Sequence, residues 1–522
     1  MFQFNEQFTK ATDQTNQNDY RLMLDSSLWL TFLAIIILWA VWKVIQLRQR
    51  YLLYKGVPSM DGFSFIFGHM HKLPADGRDM YKHLLNDWLC VSHRMFCFWV
   101  TPLRPIIFLF HPDAAKVLLQ SSESKQVEFG DAFRFVKPWV GEGILLSSGN
   151  RWMRARRLLT PAFHFDILKP YIGVYNKTVD SCIETIDKFA NSGESFDIYP
   201  LLKLCTFDII LKCAMSVDLN VFKKGGNVPY INACDRLLYL WGERIRNIFV
   251  YWDAVYRLTK NGQEFYKNCD LVHSFAQEII TKRMQELKEE GPPKKRYLDF
   301  LDILLTAKDE TGQGLTPLEI RAEVDTFLLA GHETSSTATS WLLHLLSENV
   351  DYQKRVQEEV DEVLEGRESK HVLWSDLQKL ETLTCCMKEA MRLYPAVPGV
   401  GRILTKDTLI DGHTIPAGTR VNVSFILLHR NPDVWEDPHT FRPERFEVEE
   451  AKNRNPFAFV PFSAGPRNCI GMTFASNEIR VLVARLLQRY DFAPDPSHPV
   501  EVVASSITQS QSGVWMFAKR RK

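Results

Sequence analysis

Phe462-Ser463-Ala464-Gly465-Pro466-Arg467-Asn468-Cys469-Ile470-Gly471 presents one cysteine from a glycine-flanked loop, directly before an apolar, helix-like segment. A helix N-terminus and nearby backbone N–H groups lower a thiol's pKa, so the loop reads as a place to hold Cys469 as a thiolate. Gly465 permits a tight turn without a Cβ clash, and Gly471 permits close approach of backbone to a flat ligand. A thiolate is a strong axial ligand for haem iron. On that reading Cys469 is the ligand, Arg467 pairs with a haem propionate and Phe462 shields the sulfur from water. A lone cysteine is more often buried and inert, but ten positions in this order speak for the ligand.

Outward from this loop, the chain of 522 residues is long enough for several domains by length alone. Its 63 Lys and Arg balance 62 Asp and Glu, so nothing global attracts nucleic acid or an acidic partner, and any electrostatic docking is local. The ten cysteines are scattered singly apart from Cys385-Cys386, without C-x-x-C spacing. That speaks against a zinc site or a secreted disulfide scaffold and for a reducing compartment.

Leu28 to Leu47 forms twenty positions with a single charge, Lys43, near one end where it can snorkel. The preceding stretch contains Glu6, Asp13, Asp19 and Asp25, unlike a basic signal-peptide n-region, so an uncleaved anchor is expected. Lys43 near the end of the span and Arg48, Arg50 and Lys55 after it predict that everything after the span faces the cytosol. The sequons at Asn176 and Asn422 are then expected to stay unmodified. The expected organisation is a short lumenal segment (1–27), a transmembrane signal anchor (28–47), a linker (48–75) and one catalytic domain (76–522).

Arg94–Val100 and Pro105–Phe110 read as an antiparallel strand pair, and most of the remainder has helical periodicity, as in Tyr352–Leu364. The fold class is therefore mainly α with a small β portion. Glu289 to Arg296 reads as a solvated loop between helices. Thr316-Pro317-Leu318-Glu319 is a helix start with a capping box, and a helix to about Ser347 should follow. Inside it, Ala330-Gly331-His332-Glu333-Thr334-Ser335 is an unusual helix interior, because Gly and adjacent hydroxyls weaken the i to i−4 ladder; a local widening there would open a groove. Glu389 and Arg392 share a helical face, and Trp152 and Arg156 share another.

The Cys469 loop closely resembles the haem-binding signature Phe-x-x-Gly-x-Arg-x-Cys-x-Gly of the cytochrome P-450 superfamily of haem-thiolate monooxygenases, with every fixed position met. Ala330 to Thr334 resembles the superfamily's oxygen-activation motif. Glu389-x-x-Arg392 and Pro443-Glu444-Arg445-Phe446 are similar to its frame elements. The resemblance implies the cytochrome P-450 fold after the anchor, with Glu333 and Thr334 delivering protons for O–O cleavage. It implies that Glu389, Arg392 and Arg445 lock the loop beneath the haem, and that Trp152 and Arg156 reach a propionate, with Arg402 a second candidate. Haem b and O2 are the implied cofactor and co-substrate. Electrons come from an NADPH-dependent reductase at the membrane, with cytochrome b5 as a further donor, because no dinucleotide-binding Gly-x-Gly-x-x-Gly follows a strand. Arg154, Arg157, Lys452 and Arg454 are candidates for meeting that partner. The implied location is the endoplasmic reticulum membrane, single-pass.

Leu159 to Tyr171 and Glu323 to Phe327 look similar to the fatty-acid ω-hydroxylase branch, family four of the superfamily. That branch often carries Glu immediately before the motif glycine, where it can esterify the haem. Ala330 stands there in this chain, which implies a haem held without a covalent bond. The aromatic-rich segment Arg236–Lys260, with Arg244 and Arg246, reads as a channel roof or as an amphipathic helix packed on the core. Alternatives to fatty-acid hydroxylation are a sterol or xenobiotic hydroxylase, a haem-thiolate lipid-peroxide isomerase and a non-enzymatic haem sensor.

Overall fold

The computed structural model describes residues 29–521 apart from 47, 50, 65–66, 75, 102–103, 126, 129–130, 223–226, 292–297 and 504–505. The segment 1–27, expected to be lumenal, and most of the loop ending at Arg296 lie outside the described residues. Helix α1 (Trp29–Leu53) has none of its apolar window buried and is long enough to cross a membrane by length and composition. It continues beyond the expected span, because Tyr51, Leu52 and Leu53 carry the apolar run past the basic residues.

The expected linker lies against the domain. Tyr54 and Val57 are buried, the Cys97 N–H donates to the Pro58 carbonyl at 2.7 Å, and the His69 N–H donates to the Trp99 carbonyl at 2.7 Å. Gly68 has φ near +58°, and a Cβ there would sit 2.1 Å from the Trp99 carbonyl oxygen. Only glycine fits such a contact.

Strands β1 (Met95–Thr101) and β2 (Arg104–Leu109) form the expected antiparallel pair, one residue off at several ends, with Phe96 opposite Phe108. β3 (Gly399–Ile403) and β4 (Arg420–Ser424) complete the sheet in the order β1-β2-β4-β3; β4 runs parallel to β2 and antiparallel to β3. Asn422 is therefore in an inner strand. Asn176 is buried, its amide donating to the Ile172 carbonyl at 2.7 Å and the Val372 carbonyl at 2.9 Å. Neither sequon is presented on a loop.

Among the described residues three smaller sheets, the largest pairing Trp515–Arg520 with Tyr490–Pro494, accompany that sheet, and most of the rest is helical. The helices that position the site are α2 (Gly149–Leu159), α3 (Phe165–Ser192), α4 (Ile198–Ala214), α5 (Pro229–Arg246), α6 (Lys260–Glu290), α7 (Pro317–Glu348), α8 (Glu381–Leu393) and α9 (Met472–Arg489). The helix expected at Tyr352–Leu364 runs from Val350 to Val363. α7 starts as predicted: the Glu319 N–H donates to Thr316 Oγ1 at 3.3 Å, and the Thr316 N–H donates to Glu319 Oε2 at 2.8 Å. α7 then runs through the centre of the main apolar core, which α3, α4, α5, α6, α8 and α9 enclose. A second core under the sheet includes Tyr54, Trp99, Leu428 and Val460.

Candidate functional site

The cysteine loop is fixed at both ends by backbone geometry. The Cys469 N–H donates to the Phe462 carbonyl at 2.9 Å, and the Asn468 N–H to the Gly465 carbonyl at 3.1 Å. Gly465 has φ near +68°, and a Cβ there would meet the Leu119 carbonyl oxygen at 2.1 Å, so the turn requires glycine. Gly471 differs. A Cβ there would approach no protein atom closer than Phe163 at 3.8 Å and would lie 4.0 Å from the Cys469 sulfur, so the protein alone does not demand glycine. α9 begins immediately afterwards. Phe462 is half-buried against the helical core.

The Cys469 residue is exposed, yet its thiol is surrounded by protein. Burial pushes its pKa up, against the expected depression; the Gly471 N–H, Arg156 and Lys125 oppose that shift without overcoming it. A helix terminus acts only within its first turn, whereas desolvation acts from every side. A bound cation would supply the compensation that the protein withholds.

Around the loop is a cluster of positive groups. Arg467 is buried; its Nη1 donates to the Ser147 carbonyl at 3.0 Å, and its guanidinium stacks on the Trp152 ring at 4.3 Å. Its Nε and Nη2 have no hydrogen-bond partner among the described residues. Burial lowers its pKa to about 10. Arg402 on β3 is brought to about 10 by burial and by Arg467. Lys125, a residue that sequence reading missed, is brought to about 7 by burial and by Arg402 and Arg467. Its only signal is a charge in an otherwise unpatterned segment. Arg156 donates to the Asn468 carbonyl at 2.9 Å and to Asn468 Oδ1 at 2.7 Å, bracing the loop. Trp152 faces Arg467.

Opposing this cluster in kind is a short accessible window in α7. From Ala322 to Ser347 only Ala330 is exposed, with Gly331 and Thr334 partly so, although the helix is buried on both sides of them. Ala330 and Thr334 are one turn apart and share a face, so the surface they show belongs to an internal space. The helix does not widen. It stays α-helical throughout, with the Thr334 hydroxyl donating to the Ala330 carbonyl at 2.8 Å. Small side chains make the opening, and Gly331 itself faces Ile210 of α4, where a Cβ would meet Cδ1 at 2.7 Å.

Glu333 is placed away from that window. It is fully buried, with Lys203 Nζ of α4 at 2.9 Å and His332 Nε2 at 3.2 Å from Oε1, and the Tyr199 hydroxyl donates to Oε2 at 3.4 Å. Burial works against its charge, but Lys203 and His332 hold its pKa down to about 2. Lys203 also donates to Asp235 of α5, whose side chain is 47% exposed.

Beneath the loop, Glu389, Arg392 and Arg445 meet as expected. Arg392 donates through Nε to Glu389 Oε2 at 2.7 Å and through Nη2 to Oε1 at 2.8 Å, and Arg445 Nε lies 3.4 Å from Oε1. All three are buried. Arg392 also donates to the carbonyls of His429 at 2.9 Å and Pro438 at 2.7 Å. His429, whose role sequence reading left open, accepts the Val460 N–H on Nε2 at 3.0 Å. Burial and the arginines lower its pKa to about 3, so the ring is neutral and that nitrogen is an acceptor. His429 thus ties the arginine frame to the residues leading into the cysteine loop.

Most of the other basic residues singled out in the sequence are engaged within the protein. Arg154 is engaged with Asp309 at 2.6 Å and the Gly314 carbonyl at 2.8 Å, Arg157 pairs with Glu310, and Arg454 stacks over Trp435 at 4.4 Å. Of the four docking candidates only Lys452 is exposed without such an engagement among the described residues. Arg244 is buried between the Phe135 and Tyr256 rings and donates to Asp253 at 2.6 Å, while Arg246 pairs with Glu243. Intramolecular acids already hold both.

Residues 58–514 match the Cytochrome P450 family. The chain belongs to that family. It is 37% identical over 511 residues to "Cytochrome P450 4F4" of Rattus norvegicus, covering 95% of this chain and 97% of the relative. It is 36% identical over 501 residues to "Leukotriene-B4 omega-hydroxylase 3" of Mus musculus, covering 94% and 95%. The solved structure "Crystal structure of cytochrome P450DA heme domain" superposes with a TM-score of 0.78 at 22% identity, over 89% of this chain and 98% of that one. As a cytochrome P450 the protein is a monooxygenase that uses haem b with a cysteine thiolate, O2, a lipophilic substrate and electrons from NADPH through a reductase. The residues fit that cofactor: an exposed cysteine in a fixed loop, a glycine leaving room beside it, and the buried Arg467, whose Nε and Nη2 have no hydrogen-bond partner among the described residues and suit a carboxylate.

Proposed function

We propose that this cytochrome P450 hydroxylates fatty-acid-type lipids at or near the terminal carbon, with Cys469 as the ligand to haem iron. The observation that carries the substrate class is the likeness to the leukotriene-B4 ω-hydroxylase across nearly the whole of both chains. When bound, the haem activates O2 for insertion of one oxygen atom into a C–H bond. Arg467, Lys125 and Arg402 would hold its carboxylates, and Trp152 would keep the Arg467 guanidinium flat. Arg156 and Asn468 would brace the thiolate loop from one side, and Glu389, Arg392, Arg445 and His429 from the other. Thr334, at the accessible window of α7, would hand on protons that Glu333 supplies. Ala330 offers no carboxyl to bond to the cofactor, which supports non-covalent retention.

In this reading α1 anchors the protein in the endoplasmic reticulum membrane with the domain on the cytosolic side. A further apolar surface supports contact with the bilayer: Phe249 is 75% exposed, Trp252 57% and Leu258 82%. The electron donors would be the NADPH-dependent P450 reductase and cytochrome b5.

The test is mass-spectrometric product mapping with reductase, NADPH and a panel of fatty acids and other lipids, in samples with a thiolate-type ferrous carbon monoxide spectrum. Terminal or near-terminal hydroxylation of a fatty acid is expected. No fatty-acid product from spectrally intact enzyme would refute the substrate class and favour a sterol or xenobiotic.

A further inference from the structure

Lys203 stands between two acids and serves them unequally. Its ammonium hydrogen-bonds to Asp235. Toward Glu333 it is close enough for an ion pair, 2.9 Å, yet Glu333 Oε1 has no hydrogen-bond partner among the described residues. The other contacts of the carboxylate are His332 Nε2, 3.2 Å from Oε1, and the long 3.4 Å hydrogen bond from Tyr199 to Oε2, a hydroxyl that also lies 3.2 Å from Thr337 Oγ1 and 3.5 Å from Gln509 Oε1. A fully buried carboxylate is thus balanced in charge but barely tethered in direction. Asp235, by contrast, has a side chain that is 47% exposed.

From this geometry we infer that Asp235 is a positioning residue for proton delivery: by taking the hydrogen bond of Lys203, it leaves Glu333 free to turn out of its ion pair toward the Thr334 side of α7. The inference rests on the reading that Glu333 supplies protons during turnover. Paired to Lys203, Glu333 is a carboxylate and has no proton to give. When Lys203 swings fully to Asp235, burial acts on Glu333 unopposed and its carboxylate takes up one proton from the solvent pool; the acid then passes that proton to the Thr334 hydroxyl as the hydroxyl hands its own proton on to the oxygen being reduced, and Glu333 returns to the ion pair as the carboxylate. Lys203 keeps its own protons throughout, so no net charge is created in the core. Without the carboxylate of Asp235, Lys203 has one acid partner left, and the pair with Glu333 closes into a lock.

The test uses the full-length holoenzyme with reductase, NADPH and arachidonate, comparing wild type, Asp235→Asn, Asp235→Ser, Asp235→Glu, Glu333→Gln and the double variant Asp235→Asn/Glu333→Gln. The readouts are the rate of NADPH oxidation, the share of electrons released as hydrogen peroxide and the solvent deuterium isotope effect, in samples of equal ferrous carbon monoxide amplitude. Asp235→Asn and Asp235→Ser should slow NADPH oxidation about tenfold, since positioned proton transfer contributes roughly a hundredfold or more. They should also raise the peroxide share and enlarge the isotope effect, and Asp235→Glu should restore all three. In the Glu333→Gln background Asp235→Asn should add nothing. Wild-type behaviour of Asp235→Asn beside an impaired Glu333→Gln would overturn the inference while leaving the role of Glu333 intact, as would an undiminished effect of Asp235→Asn in the Glu333→Gln background. Wild-type behaviour of Glu333→Gln would remove the reading on which the inference rests.

Discussion

Glu478 of α9 is fully buried, and neither carboxyl oxygen has a hydrogen-bond partner among the described residues. Burial raises its pKa to about 8 from an ordinary 4.5, with the Ser335 hydroxyl opposing the shift. The folded protein therefore holds a proton there that the unfolded chain releases above pH 4.5, and stability from this group falls as pH rises toward 8. Each pKa unit is worth about 1.4 kcal/mol, so roughly 4 kcal/mol is lost between pH 5 and pH 8. Glu478→Gln keeps the shape and polarity of the neutral acid and abolishes its titration. For a domain of this size, unfolding entropy near 2 cal/mol/K per residue makes ~1 kcal/mol equal to about one degree in Tm. The variant should match the wild type near pH 5 and exceed its Tm by about 4 °C at pH 8. Scanning both holoproteins by circular dichroism at several pH values gives the comparison, and parallel Tm curves would refute the assignment of a neutral, buried Glu478.

Three further expectations follow from the site. Acidified organic solvent should extract the haem from the denatured wild-type chain, whereas Ala330→Glu, which places a carboxyl at the exposed position of α7, should retain a fraction after turnover, measured as haem absorbance co-eluting with protein. Glu389→Gln leaves two buried guanidinium groups short of their counter-charge, a loss of about 3–5 kcal/mol, and should appear as low haem content in purified protein; full haem occupancy and an unchanged Tm would contradict the frame role. His429→Phe removes the acceptor of the Val460 N–H and should cost about 1–3 kcal/mol, seen as faster haem transfer to an apo-haem acceptor protein.

The cysteine loop was legible because its determinants are contiguous: Gly465 answers to a local φ and a local contact, and Arg467 and Cys469 are two residues apart. The start of α7 was legible for the same reason. What the sequence did not disclose came from distant segments. Lys125 and His429 gain meaning only when the sheet and α8 bring them beside Arg467 and Val460. The raised pKa of Cys469 depends on everything packed around the sulfur, and no local pattern encodes that. The segment 48–75 looked like a linker because its apolar anchors, Tyr54 and Val57, are few and its other contacts include backbone hydrogen bonds to Cys97 and Trp99, which leave no hydrophobic period.

Glu333 and Thr334 are the most instructive case, because adjacency in sequence suggested one joined relay. Successive residues of an α-helix differ by about 100° around its axis, so neighbours face different surroundings while Ala330 and Thr334, four apart, share one. α7 accordingly shows Thr334 to the internal space and Glu333 to Lys203. An acid and an alcohol so divided cannot act as a fixed pair; the carboxyl has to move before it can serve the hydroxyl. Proton delivery in this protein is then limited by how readily Lys203 releases Glu333, and the group that sets that release, Asp235, belongs to α5, a helix that carries none of the site residues read from the sequence motifs.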